Sequence, residues 1–194
     1  MAPSTLPVLP LPHPLILIPS ARITFPLSPS LGEHILTLID QSDSYPVVAA
    51  VPITNSDLEA PALSEWGTAA RVVRLIRPPA RNPRQPFLIS LQGLTRVHLK
   101  PPLILNNKGS LAEQAVDYPD ANGVTPSRES VEVFKGAASR LLDRLAKDAS
   151  QLSRKEGWLK VSAMVEEVSE LRAAWMADVM VAAVNGEYSD KLGT

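Results

Sequence analysis

The chain has 194 residues, with 19 basic and 20 acidic side chains, a formal net charge of −1 and no cysteine. That length can bury a core in one large domain or two small ones, and the near-neutral charge argues against a coat for nucleic acid or anionic membrane. Without cysteine there are no disulfides, thiolate metal sites or cysteine nucleophiles, and the three histidines (His13, His34, His98) are too scattered for a histidine-rich metal site.

No leader or membrane span is expected. The first basic residue is Arg22, so no charged n-region precedes it, and the apolar run near the start is only Leu15–Ile18. A spanning helix needs roughly 20 apolar residues. All 19 prolines lie between Pro3 and Pro126, and residues 127–194 contain none. Proline removes a backbone donor and blocks helix interiors, so short strands and turns are expected upstream and long helices downstream.

In chain order, Leu6–Leu11, Leu15–Ile18, Ile23–Leu27, Val47–Ile53, Phe87–Leu91 and Thr95–Leu105 read as strands, each apolar and bounded by proline, glycine or polar turns. One helix interrupts them. Ser30-Leu31-Gly32-Glu33 has capping-box spacing, and Leu31, Ile35, Leu38 and Ile39 form a stripe ending at Asp40. Gly67–Pro78 stays open: Arg71, Arg74 and Arg77 have helical spacing, whereas Val72, Val73 and Ile76 favour an extended chain. Residues 106–126 are polar and turn-rich and predict a flexible linker.

Further on, Thr125 is placed to cap a helix with Pro126 at its first position. Val131, Phe134, Ala138, Leu141 and Leu145 give one stripe; after a polar turn at Ser153–Gly157, Met164, Val168, Leu171, Trp175 and Val179 give another. The expectation is an antiparallel helical hairpin that stops at Asn185-Gly186, with Trp175 in its core. Tyr188–Leu192 reads as the start of a further helix, so the helical subdomain is expected to be truncated at its C-terminal end.

The chemistry-bearing motifs are absent. There is no GxxxxGK[ST] phosphate loop, HExxH, GxSxG or GxGxxG. Glu166, Glu167 and Glu170 cluster on a helix, and a solvated face explains them better than a metal or acid–base site. Ordinary surface or half-buried positions likewise explain the histidines. From Trp66 to Ala112 there are eight basic residues and no acidic one. This stretch is either a strip for RNA or a solvated strand pair balanced by Glu59, Glu65 and Glu113; the scarcity of nearby aromatics favours the second. Trp66 itself, beside Gly67 at a turn, is either core or an exposed contact.

Several pieces in order resemble the amino-terminal domain of Lon proteases. They are Leu6-Pro7-Val8-Leu9-Pro10-Leu11, then Ile18-Pro19, the helix at 31–40, Val47–Ile53 and Trp66-Gly67-Thr68-Ala69-Ala70-Arg71-Val72-Val73. The strongest is Gly93-Leu94-Thr95-Arg96-Val97-His98-Leu99, similar to the family's glycine-x-x-arginine strand. Val131–Leu145 and Asp178–Asn185 resemble the helical part that follows in fungal peroxisomal Lon proteins. The family usually has glycine after the Pro19 position, where this chain has Ser20, a departure that bears on that turn's geometry.

The resemblance implies an α+β architecture: residues 1–105 as a six-stranded PUA-like β pseudo-barrel with one helix, 106–126 as linker, and 127–194 as an α-helical bundle or hairpin. It makes Gly67–Pro78 a strand. It assigns structural roles to Pro7, Leu9, Pro10, Leu11, Pro19, Gly67, Gly93 and Arg96. It implies the substrate-recognition and assembly region of an ATP-dependent serine protease that degrades misfolded or damaged protein. The parent would be a homo-hexamer with ATP, magnesium and a serine–lysine dyad, none of them carried by these residues. Ile16, Ile18, Phe25 and Trp66 are the candidate substrate contacts, with core packing the alternative for each. The peroxisomal matrix is the expected compartment, the cytoplasm its alternative; neither membrane nor nucleic acid is an expected partner. Two other readings stand beside this one: a free-standing PUA-like module for RNA or a protein, and a purely architectural role for the 128–185 helices.

Overall fold

The computed structural model describes residues 4–55, 62–78, 84–101, 111–119, 125–148, 150, 152–183, 188 and 191. The chain divides into two compact units, Met1–Asn122 with Asn185–Thr194, and Gly123–Val184. The first is the β unit. Its strands are β1 (Thr5–Leu11), β2 (Arg22–Leu27), β3 (Val47–Asn55), β4 (Ala62–Leu63), β5 (Trp66–Ile76), β6 (Phe87–Leu99) and β7 (Glu113–Asp117), with helix α1 (Pro29–Asp40) between β2 and β3.

Hydrogen bonding runs β1-β7-β6-β5-β3, and a parallel β1–β3 pairing closes the ring; β2 and β4 attach to β6 and β3. Closure leaves those five strands without a free edge. The 13-residue β6 makes it possible. Its first half, Phe87–Gln92, pairs with β2, and its end, His98–Leu99, pairs with β7. Opposite it, Ala69 faces Thr95 and Ala70 faces Gly93, so Leu94 is an extra residue. Such a bulge bends a strand and increases its twist.

Two apolar clusters follow. One gathers Leu9, Leu11, Phe25, Ile35, Val48, Ala50, Val72, Phe87, Ile89 and Leu91; the other gathers Leu6, Val8, Ala49, Val51, Ala69, Val97, Leu99 and Val116. Successive residues of β3 enter alternate clusters, so both its faces are buried. That accounts for the unbroken run Val47-Val48-Ala49-Ala50-Val51 in place of polar alternation.

The α+β expectation holds, with corrections of detail. Leu15–Ile18 is not a strand, since Pro12, Pro14 and Pro19 leave too few donors for a ladder. Phe87–Leu91 and Thr95–Leu105 are one strand ending at Leu99; residues 102–105 of the second lie outside the described residues. The expected linker supplies β7, whose Val116 is buried and whose residues pair with both β1 and β6. Helix α1 is capped at Ser28, two residues before the expected cap at Ser30. Ser28 Oγ accepts from the Leu31 N–H at 3.5 Å, and Pro29 takes the first turn, where its missing donor costs nothing.

The helical unit comprises α2 (Arg128–Asp148), α3 (Leu152–Glu166), a 3-10 turn (Glu170–Arg172) and α4 (Ala173–Ala183). Ser127, not Thr125, caps α2: its Oγ accepts from the Ser130 N–H at 3.2 Å. Val131, Ala138, Leu142, Val165, Val168, Ala173, Met176 and Met180 form its core. Of the two expected stripes, Val131, Ala138 and Val168 are core and Phe134 and Val179 pack against it, while other members turn outward. Leu141, Met164, Leu171 and Trp175 are exposed, Leu171 at 85% and Trp175 at 41%. The cause in the second stripe is a break at Glu167–Ser169, where Ser169 turns extended and resets the helical phase. The expected polar turn at Ser153–Gly157 is instead the start of α3, and the Asn185-Gly186 stop lies outside the described residues.

Gly32 tests the packing of α1. Its added Cβ would lie 2.1 Å from Phe87 Cδ2, and the Arg77 guanidinium holds the other side of the region at 4.4 Å from the Phe87 ring centre. Overpacking of this kind costs about 1–3 kcal/mol. Gly32→Ala is expected to lower the denaturant midpoint accordingly, without loss of helix in circular dichroism.

Candidate binding cleft

The connector between β1 and β2 crosses the sheet at β5 and β6 and is tied down by backbone geometry. Ser20 N–H donates to the Gly93 carbonyl at 3.1 Å, and Gly93 N–H donates to the Ala21 carbonyl at 2.9 Å. Gln92 Nε2 donates to the carbonyls of Ser20 and Ala21 at 3.0 and 3.1 Å. A Cβ on Gly93 would sit 2.4 Å from the Ile18 oxygen, so only glycine allows this approach. One turn of chain further, Thr68 is 3% exposed and its hydroxyl donates to the Leu17 carbonyl at 2.6 Å.

Between this connector and the sheet lies a cleft of ≈ 180 Å³. Ile16, Ile18 and Pro19 form one wall, Pro52 and Gly67 another, and the Trp66 side chain, 49% exposed, stands on its rim. Arg96, Ser64 and Lys191 supply its polar atoms. Gly67 is constrained too, since a Cβ there would lie 2.9 Å from the Ala50 carbonyl oxygen. Tyr188 reaches the same unit, donating its hydroxyl to the Ile53 carbonyl at 2.7 Å with its ring 4.5 Å from His13, and burial pushes its phenol above the usual value.

Three of the four candidate contacts, Ile16, Ile18 and Trp66, therefore converge on one surface. Phe25 does not: at 2% exposure it belongs to the core with Leu27 and Ile35, and a buried ring cannot meet a partner at the surface. Among the residues given structural roles, Leu9 and Leu11 are fully buried core, and Pro7 and Pro10 are half-buried along β1. Pro19, Gly67 and Arg96 line the cleft, and Gly93 anchors its wall. Pro52 and Lys191 could not have been found from spacing, because they arrive from places in the sequence far from Trp66, which Ser64 and Thr68 flank.

The basic stretch disperses over the sheet. Arg77 is bound to Glu33 and covers the Phe87 ring, and Lys100 Nζ lies 2.9 Å from Asp117 Oδ1. Neither of these acids, Glu33 and Asp117, is one of the three expected. Glu65 instead faces His98, with Oε2 3.8 Å from Nε2. Glu59, Arg81 and Lys108 lie outside the described residues. Among the described residues no group of three or more His, Asp or Glu could hold a metal ion.

No protein-family model matches the chain, and no curated protein sequence matches it. Among solved structures it is similar to the N-terminal domain of Mycobacterium avium complex Lon protease, with a TM-score of 0.61 and 14% identity over 97% of this chain and 94% of that one. It is also similar to the Lon N-terminal domain protein from Xanthomonas campestris, with a TM-score of 0.47 and 16% identity over 89% of this chain and 96% of that one. The class is thus an α+β fold of a β unit and a helical unit. Its particular form is the fold of a Lon protease N-terminal domain. Neither neighbour is a fungal peroxisomal protein.

Ser20 has a φ of +67°, the left-handed region that costs most side chains about 1–2 kcal/mol and that glycine enters freely. Ser20→Gly is expected to raise unfolding stability by up to about 1 kcal/mol in urea denaturation. Thr68→Val keeps the side-chain shape but leaves the Leu17 carbonyl without its buried donor. The expected loss is about 1–3 kcal/mol by the same measurement.

Proposed function

We propose that this chain is the polypeptide-engaging and assembly region of a Lon-type, ATP-dependent serine protease that removes misfolded or damaged protein. The observation that carries the reading is the apolar cleft of Ile16, Ile18, Pro19 and Pro52 with an exposed indole on its rim, set in a Lon N-terminal fold. A cleft of this size accepts one or two apolar side chains, which folded proteins hide and unfolded ones display. Single contacts of this sort are weak. In a homo-hexamer they would be repeated around a ring, and effective concentration would raise the net affinity. In such a parent, ATP and magnesium would act elsewhere, because no phosphate-cradling loop is written in these 194 residues. The serine–lysine dyad would also lie elsewhere. The peroxisomal matrix, with the cytoplasm as its alternative, is proposed from the sequence resemblance alone.

The RNA reading is weakened by the carboxylates that hold Arg77 and Lys100. The decisive experiment is a titration with a labelled unfolded polypeptide and, separately, with single-stranded RNA. Polypeptide binding is expected to survive moderate salt and to weaken roughly tenfold in Trp66→Ala, the usual effect of truncating an aromatic anchor. RNA binding that falls steeply with salt, or polypeptide binding indifferent to Trp66, would overturn the proposal.

A further inference from the structure

Trp66 has two sides, and the second faces different chemistry. Trp66 on β5, His98 on β6 and Asp117 on β7 are successive cross-strand neighbours, paired Trp66↔His98 and His98↔Asp117. Residues opposite one another in a sheet project from the same face. The three form a row, with the Trp66 and His98 rings 4.8 Å apart. Together with Tyr118 and Pro119 they line a separate cleft of ≈ 340 Å³.

The charges at this cleft can be counted. Asp117 belongs to the row, and Glu65 Oε2 approaches His98 Nε2 at 3.8 Å. Both carboxylates are well exposed, at 59% and 65% for their side chains. Lys100, 2.9 Å from Asp117, is the opposing cation. These three groups together carry one net negative charge beside an indole and a phenol ring. Tyr118 is partly buried against the second core cluster, and that burial raises its phenol above the ordinary value. Aromatic faces attract cations, and the long stems of lysine and arginine lie well along them while their heads reach a carboxylate.

We propose that this cleft is a subsite for one basic side chain of a bound polypeptide, separated by the Trp66 ring from the apolar cleft; it rests on the polypeptide reading given above. In an extended chain, residues i and i+2 share a face and lie roughly 6.6 Å apart. A chain crossing the Trp66 ridge therefore sets an apolar side chain against Ile16 and Ile18 and a basic one toward Asp117 and Glu65. The site selects segments that combine the two, and an acidic residue at the second position is repelled.

The test titrates the whole chain with fluorescein-labelled unfolded peptides that differ at one position, two residues from a leucine. That position holds lysine, norleucine or glutamate. The lysine peptide is expected to bind roughly three- to tenfold tighter than the norleucine peptide, and the glutamate peptide weakest. Added salt narrows the range. In the double variant Glu65→Gln, Asp117→Asn the ratio of lysine to norleucine affinity is expected to fall to about one. Equal affinity for lysine and norleucine peptides in the unaltered chain overturns the subsite and leaves the apolar cleft standing. A lysine preference that persists in the double variant overturns it as well. If no peptide binds at all, the polypeptide reading fails and the subsite with it.

Discussion

The reciprocal backbone pair between Gly93 and the Ser20–Ala21 turn holds together three parts of the β unit that would otherwise be independent. It fixes the proline-rich connector across β5 and β6, and it does so where the pairing of β6 with β2 ends, ahead of its pairing with β7 at His98–Leu99. A side chain at residue 93 would meet the Ile18 carbonyl, so the connector would have to lift. Lifting it would remove Leu17 from the core and take away the Ile16–Pro19 wall of the cleft. The binding surface and the closure of the sheet thus share one geometric requirement, an absent Cβ in the middle of a strand.

The same requirement explains a cost the fold tolerates. To meet Gly93, the chain must reverse within a few residues, and Ser20 does so in the left-handed region. Its strain is small beside the burial it permits, since placing a leucine or isoleucine fully inside is worth about 1.5–3 kcal/mol each and Leu17 and Ile18 both follow from the turn. Glycine, which the resemblance leads one to expect where the chain carries Ser20, would suit this backbone because φ is positive there.

What the sequence made legible follows the range of the interactions. Local signals worked: the proline boundary at Pro126, the apolar run of Val47–Ile53 and the Ile35-centred helix each depend on near neighbours. Signals that depend on distant partners failed. Leu15–Ile18 has strand composition, yet its Leu17 carbonyl accepts from the distant Thr68 hydroxyl, and the turn that follows it is pinned at Gly93. Glu113–Asp117 looks like linker because β7 is short and polar at its ends, and only Val116 is deeply buried. In the helices, one irregular stretch at Glu167–Ser169 was enough to turn Trp175 outward, because a break shifts the phase of every residue after it. Of the cleft residues, Trp66 is exposed, Ile16 half-buried and Ile18 buried, though all three line it; Phe25 has the same composition signal and lies wholly in the core, which composition cannot distinguish.

A lone exposed tryptophan is unremarkable on a protein surface. Trp66 carries more weight because its neighbours on the two sides differ in kind. On one side the connector brings the apolar side chains of Ile16, Ile18 and Pro19, and on the other β6 and β7 bring an imidazole and a carboxylate. No single strand could provide both environments, since residues along one strand alternate between faces. It takes a ring position at the start of β5, a connector pinned at Gly93 and a β7 added beside β6. The polar stretch that reads as linker is therefore the part of the chain that gives the tryptophan its second side.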